Sequence, residues 1–211
     1  MENLLNGLKA LLCTGDPCTV TMIIADIRRI KLNKEEILSE IAPCYVKKYH
    51  DHKILRDKKQ ELVSGFLLKE YLGIVSDEQI SYNEYGKPEL VSGELHFNLS
   101  HSGNYVILAI AGCEVGADVE EIMSCHEATV KKVYREEQKR ELEPLEGAAR
   151  NEKFTEIWTK YEAVLKLNGT GFANGWDDIS IGNNYIFTMK YEECYISCAT
   201  MEEVRVEITR Y

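Results

Sequence analysis

Three groups of residues have types and spacings that chemistry could use. In Gly116-Ala117-Asp118-Val119-Glu120, the two acids are two apart. On a strand, both carboxylates then face one side, with Ala117 and Val119 on the other, buried side. Neighbouring carboxylates repel and raise each other's pKa unless a cation sits between them. Mg2+ takes such hard oxygens, often one or two carboxylates plus substrate phosphate. A solvated strand end is the plainer alternative. In Trp158-Thr159-Lys160-Tyr161-Glu162-Ala163-Val164-Leu165-Lys166, Glu162 and Lys166 lie one helical turn apart on a shared face. They form either a surface ion pair or a third oxygen ligand beside a phosphate-binding ammonium, while Trp158 and Leu165 read as core. The third group is Phe97-Asn98-Leu99-Ser100-His101-Ser102-Gly103, preceded by Gly86-Lys87-Pro88. It offers hydroxyl, imidazole and backbone N–H donors to an anion. A serine hydrolase is a poor fit, because Ser100 and His101 are adjacent and no Gly-x-Ser-x-Gly elbow exists.

The elements that must position these groups mix helices and strands, which predicts an α+β fold. Leu4, Leu5, Leu8, Leu11 and Leu12 put an amphipathic helix in 1–15. The β-branched run Val20 to Ala25 reads as a strand. Asn33 caps a helix from Lys34, and a longer helix covers about 57–72, stopped by Gly73. Strands follow at Ile80-Ser81-Tyr82, His96 to Ser100, Tyr105 to Ala111 and Val115 to Val119, with a turn at Tyr85 to Pro88. Residues 126–142 are charged and helical, 143–150 form a loop, and Lys153 to Leu167 is a strong helix ended by Asn168-Gly169. The tail, roughly 176–210, alternates like several antiparallel strands. A composition shift near Gly112 marks a candidate boundary.

The chain has 211 residues, 45% hydrophobic and 28% charged, which suits a folded protein with a real core. Its 25 basic and 35 acidic residues give a net charge of −10. Phosphate backbones would be repelled by most of that surface, so nucleic-acid binding is not expected. No apolar run approaches a membrane span. The Leu-rich start carries Glu2, Asn6 and Lys9 and is not read as a signal peptide. Seven scattered cysteines fit reduced thiols in a cytoplasm, without metal spacing. One stretch opposes the acidic background: 47–59 holds Lys47, Lys48, Lys53, Arg56, Lys58 and Lys59 against Asp51 and Asp57. It is either a solvated face or an anion site.

Taken in order, Gly-Lys-Pro, Phe-Asn-x-Ser-His-Ser, Gly-x-Asp-x-Glu and Trp-Thr-x-x-Glu-Ala-x-x-Lys resemble the Sfp-type 4′-phosphopantetheinyl transferases from Gly86 to Gly171. The resemblance implies transfer of 4′-phosphopantetheine from coenzyme A to a serine of an acyl- or peptidyl-carrier protein. It implies release of adenosine 3′,5′-bisphosphate, dependence on Mg2+, and a monomer. It also implies two similar α+β subdomains related by a pseudo-two-fold axis, here 16–112 and 113–211, with the site in the cleft between them and 1–15 as an extension. Asp118, Glu120 and Glu162 match the metal-binding carboxylates, and Asp118, Glu162 and Lys166 the catalytic set. Lys48, Lys87, Ser100, His101 and Lys166 match coenzyme A contacts. One departure is Tyr161, where the family usually has Lys, which removes a positive charge near the site. That departure leaves a non-catalytic binder of coenzyme A or carrier protein as the alternative.

Overall fold

A computed structural model of the chain describes residues 19–31, 33–171 and 184–211. The helix read over 1–15, the extension it forms, and Cys13 and Cys18 lie outside the described residues. The fold is α+β, built in four layers.

The first sheet has the order β4-β5-β1-β9, with β1 Thr19–Asp26, β4 His96–Ser102, β5 Tyr105–Ala111 and β9 Arg205–Arg210. Every residue of β5 is buried, because both faces of this sheet are covered. Ile23, Ala25, Leu108 and Ile110 pack on three helices, α1 Lys34–Glu40, α2 Pro43–Asp51 and α3 Leu55–Leu72. Met22, Ile24, Ile107 and Ala109 face the second sheet. That sheet has the order β6-β8-β7, with β6 Val115–Glu121, β7 Tyr185–Tyr191 and β8 Cys194–Thr200. Its far side carries α4 Glu127–Val133, α5 Glu136–Leu142 and α6 Gly147–Asn168. A short hairpin, β2 Ile80–Tyr82 with β3 Pro88–Leu90, stands apart from both sheets.

Several elements differ from the sequence reading. Residues 43–51 form a helix that the charge-rich sequence hid; Pro43 sits in its first turn, where a missing N–H costs nothing. Residues 126–142 make two helices, broken where Tyr134 turns extended. There its ring stacks between Phe154 and Tyr161, and its hydroxyl donates to the Phe154 carbonyl at 2.7 Å. The last long helix starts at Gly147, inside the predicted loop, because Ala148, Ala149 and Arg150 are strong helix formers. In the tail, β7 and β8 are antiparallel as read, but β9 leaves them to lie parallel to β1 in the first sheet.

Gly116 sets the distance between β6 and α6. A Cβ there would lie 2.1 Å from both the Ala163 carbonyl oxygen and the Leu167 nitrogen. Both are backbone atoms of one helix, so neither can step aside alone. Gly116→Ala is expected to cost about 3 kcal/mol, near the upper range of overpacking. Urea unfolding of the variant measures this, and an unchanged midpoint would mean that α6 rests less tightly on β6.

Candidate active site

The two sheets meet at the edges of β4 and β6, and side chains join them. Asn98, Ser100 and Ser102 alternate along one face of β4. The Asn98 side-chain oxygen accepts from the Ala117 N–H (2.9 Å), Ser100 Oγ from Val119 (3.4 Å) and Ser102 Oγ from Glu121 (3.2 Å). These three β6 donors alternate too, so a period of two on one strand meets a period of two on the other. The serine hydroxyls then donate to the acids of β6: Ser100 to Asp118 Oδ1 (2.9 Å) and Ser102 to Glu120 Oε2 (2.7 Å). Asp118 is 2% exposed.

The other components come from α6. Trp158, Glu162 and Lys166 follow one another at four-residue spacing and share the face turned to these acids. The Lys166 ammonium reaches Asp118 Oδ1 at 2.6 Å and Ser100 Oγ at 2.8 Å. The Trp158 side chain, which reads as core in the sequence, lies close enough to Glu120 to favour its charged form. Burial, and then the charge of Asp118, raises the pKa of both Glu120 and Glu162. Glu162 is pushed up to about 7.

Two connected cavities open beside this cluster. One is lined by Tyr85, Gly86, Lys87, Asn98, Glu162 and Gly169; the other by Tyr45, Lys48, Glu61, Ser64, Ser100 and His101. Pro88, Leu99 and Lys166 line both and join them into one cleft. The residues singled out by sequence therefore converge. Glu162, Lys166, Lys48, Ser100 and His101 line the cleft, and Asp118 and Glu120 stand beside it. Lys87 also lines it, but its ammonium is held by Glu114 (2.8 Å) and by the Leu167 carbonyl at the end of α6 (3.1 Å). A cation there complements the helix dipole. Tyr161 is fully buried and faces away from the acids, stacked on Tyr134 at 5.6 Å and 9°. The tyrosine at this position thus serves the helical core.

Sequence reasoning placed Asn98 and Ser102 in a candidate motif without their β6 partners, and it missed Glu61 and Ser64. The alternation Asn98-x-Ser100-x-Ser102 was the available signal for the first two. Glu61 and Ser64 carried none, since only the packing of α3 brings them to the cleft.

The donor set fits a divalent cation. Among the described residues, no three His, Cys, Asp or Glu side chains enclose an ion by themselves. Yet Asp118 Oδ2 is buried without a hydrogen-bond partner. Together with Glu120 and Glu162, both costly to ionise where they stand, it leaves negative charge that one ammonium does not balance. A hard dication completed by ligand oxygens suits that imbalance.

The raised pKa of Glu162 has a measurable consequence. The folded chain binds this proton more tightly than the unfolded chain, whose value stays near the ordinary 4.5. Ionised Glu162 therefore costs stability above about pH 7, and the cost vanishes as pH falls toward about 4.5. Glu162→Gln is expected to raise Tm by a few degrees at about pH 8 in EDTA and not at about pH 4.5. Thermal melts across that range check it; equal shifts at both ends would mean that Glu162 ionises freely.

Residues 114–194 match the model of the 4′-phosphopantetheinyl transferase superfamily. The chain is 30% identical over 144 residues to the 4′-phosphopantetheinyl transferase gsp of Aneurinibacillus migulanus, covering 66% of this chain and 60% of that protein. It is 28% identical over 121 residues to the 4′-phosphopantetheinyl transferase Sfp of Bacillus subtilis, covering 57% and 54%. It is 30% identical over 122 residues to the 4′-phosphopantetheinyl transferase AcpT of Escherichia coli, covering 56% and 61%. The matched region thus spans a little over half the length of each of these relatives.

Proposed function

Because residues 114–194 belong to the 4′-phosphopantetheinyl transferase superfamily, we propose that this protein transfers 4′-phosphopantetheine from coenzyme A to a serine of an acyl- or peptidyl-carrier protein. The observation that carries the reading is the meeting of Asp118 and Glu120 with Glu162 and Lys166, which line one cleft. Such a set suits a pyrophosphate: anion-binding ammonium, cation-binding acids, and one carboxylate whose proton affinity lies near neutral pH.

In this reading the serine Oγ forms a bond to the phosphorus that bears pantetheine. The bond from that phosphorus to the bridging oxygen breaks, and adenosine 3′,5′-bisphosphate leaves with the oxygen. Glu162, a carboxylate that lines the cleft beside Lys166, takes the serine proton. Lys166 donates to the phosphate oxygens on which charge builds, and Ser100 steadies both Lys166 and Asp118. Asp118, Glu120 and Glu162 would hold Mg2+, which when bound neutralises pyrophosphate charge. The arm of the cleft with Lys48, Ser100 and His101 receives the 3′-phosphoadenosine end. The two-subdomain, pseudo-two-fold organisation with a division near Gly112, the monomeric state and the cytoplasmic site of action belong to the same proposal. No described helix is long and apolar enough to cross a membrane. The non-catalytic alternative rests on Tyr161 alone, whose ring packs into the helical core.

The test is a mass-spectrometric assay with coenzyme A, Mg2+ and a panel of apo-carrier proteins. A carrier gain of about 340 Da that disappears with EDTA is expected from ester formation at a hydroxyl. Asp118→Ala and Glu162→Gln should each lower the rate about 100-fold or more, with circular dichroism unchanged. Lys48→Glu should raise the KM for coenzyme A about tenfold. Full activity in the Asp118 variant, or no gain on any carrier, would overturn the assignment.

A further inference from the structure

The cavity floored by Ser100 and His101 contains an acid that an anion site does not require. Glu61, on α3, is in its wall, with a side chain 10% exposed. Its Oε1 lies 3.9 Å from His101 Nε2 and 3.4 Å from His52 Nε2. The cations nearby are already engaged. Lys166 faces Asp118 at 2.6 Å, and the Lys48 ammonium lies over the Tyr45 ring, 4.5 Å from its centroid. Burial, aided by Lys166 and Lys48 and opposed by Glu61, holds the His101 imidazole below its usual pKa. Lys48 against Glu61 and Lys166 against Asp118 leave this arm without surplus positive charge. A terminal phosphate monoester brings nearly two negative charges. A hydroxyl in its place brings a donor, and a buried carboxylate lacks donors. On the same wall, Ser64 Oγ is buried with no hydrogen-bond partner. It can pair with a neutral hydroxyl at no charge cost.

We infer that Glu61 removes the preference for the 3′-phosphate of the donor, so that this protein binds 3′-dephospho-coenzyme A about as well as coenzyme A. The ribose hydroxyl donates to Glu61 and is met by Ser64, where a phosphate would meet a like charge. The inference rests on the reading of the cleft as the coenzyme A site. It adds a specificity-determining residue, one whose sign of charge sets the outcome.

The experiment is isothermal titration of the full chain with each donor, with Mg2+ present and no carrier protein. The two dissociation constants should agree within about threefold for the natural chain. Glu61→Gln should shift their ratio about tenfold in favour of coenzyme A, since it removes the repulsion while keeping the shape. Glu61→Ala should shift it the same way, which covers a Gln variant that folds poorly. A natural chain that prefers coenzyme A a hundredfold, or a ratio unmoved in both variants while coenzyme A still binds, would overturn the inference alone. Binding of neither donor would overturn the reading of the cleft and the inference with it.

Discussion

The joint between β4 and β6 is made by side chains, and the rest of the site depends on it. Strand edges usually pair through backbone donors and acceptors. Here Asn98, Ser100 and Ser102 supply the acceptors for the alternate N–H groups of Ala117, Val119 and Glu121. The arrangement holds only in one register. A slip by one residue would present Leu99 and His101 to β6 and leave its donors unmet in a buried place. The two sheets are thus fixed edge to edge while their apolar faces close over Met22, Ile24, Ile107, Val119 and Ile196.

The same hydroxyls put the acids where they are expensive. Ser100 and Ser102 each accept from the backbone and donate to a carboxylate, so they transmit the position of one sheet to the charges of the other. Gly116 lets α6 approach from the opposite side, and Lys166 then reaches across to Asp118. Three acids with one ammonium in a partly dry pocket remain under-neutralised. The cost appears as raised proton affinity at Glu120 and Glu162 rather than as distortion of the strand. A site of this kind stores an electrostatic demand that a cation and a phosphate together can meet.

Much of this was legible in the residues. Runs such as Val20 to Ala25 and Tyr105 to Ala111 announce strands because continuous β-branched and apolar residues need cover on both faces. The acids and their spacing pointed to one side of β6, and the four-residue spacing of Glu162 and Lys166 to one face of α6. The rest depends on contacts between distant segments. Nothing in Tyr134 alone says that its ring will draw the chain out of a helix to meet Phe154 and Tyr161. Ser100 reads as a donor to an anion, but its hydroxyl is shared with β6 and Asp118. Lys87 reads as a phosphate contact, but Glu114 and the end of α6 hold its ammonium. Such competitions are decided by which partner arrives in the folded chain, and local sequence does not carry that.

The parallel pairing of β1 with β9 has a consequence for how the protein is made. Thr19 pairs with Arg205 and Ile24 with Arg210, nearly the whole chain apart. During synthesis, β1 can find β5 once about half of the chain has emerged. Its other edge stays open until the residues of β9 leave the ribosome. A buried, β-branched edge waiting that long is a template for pairing with other chains. Closing the first sheet with residues made long after β1 therefore makes its completion a late step. That edge, rather than the acids, is then what needs protection in the growing chain until β9 arrives.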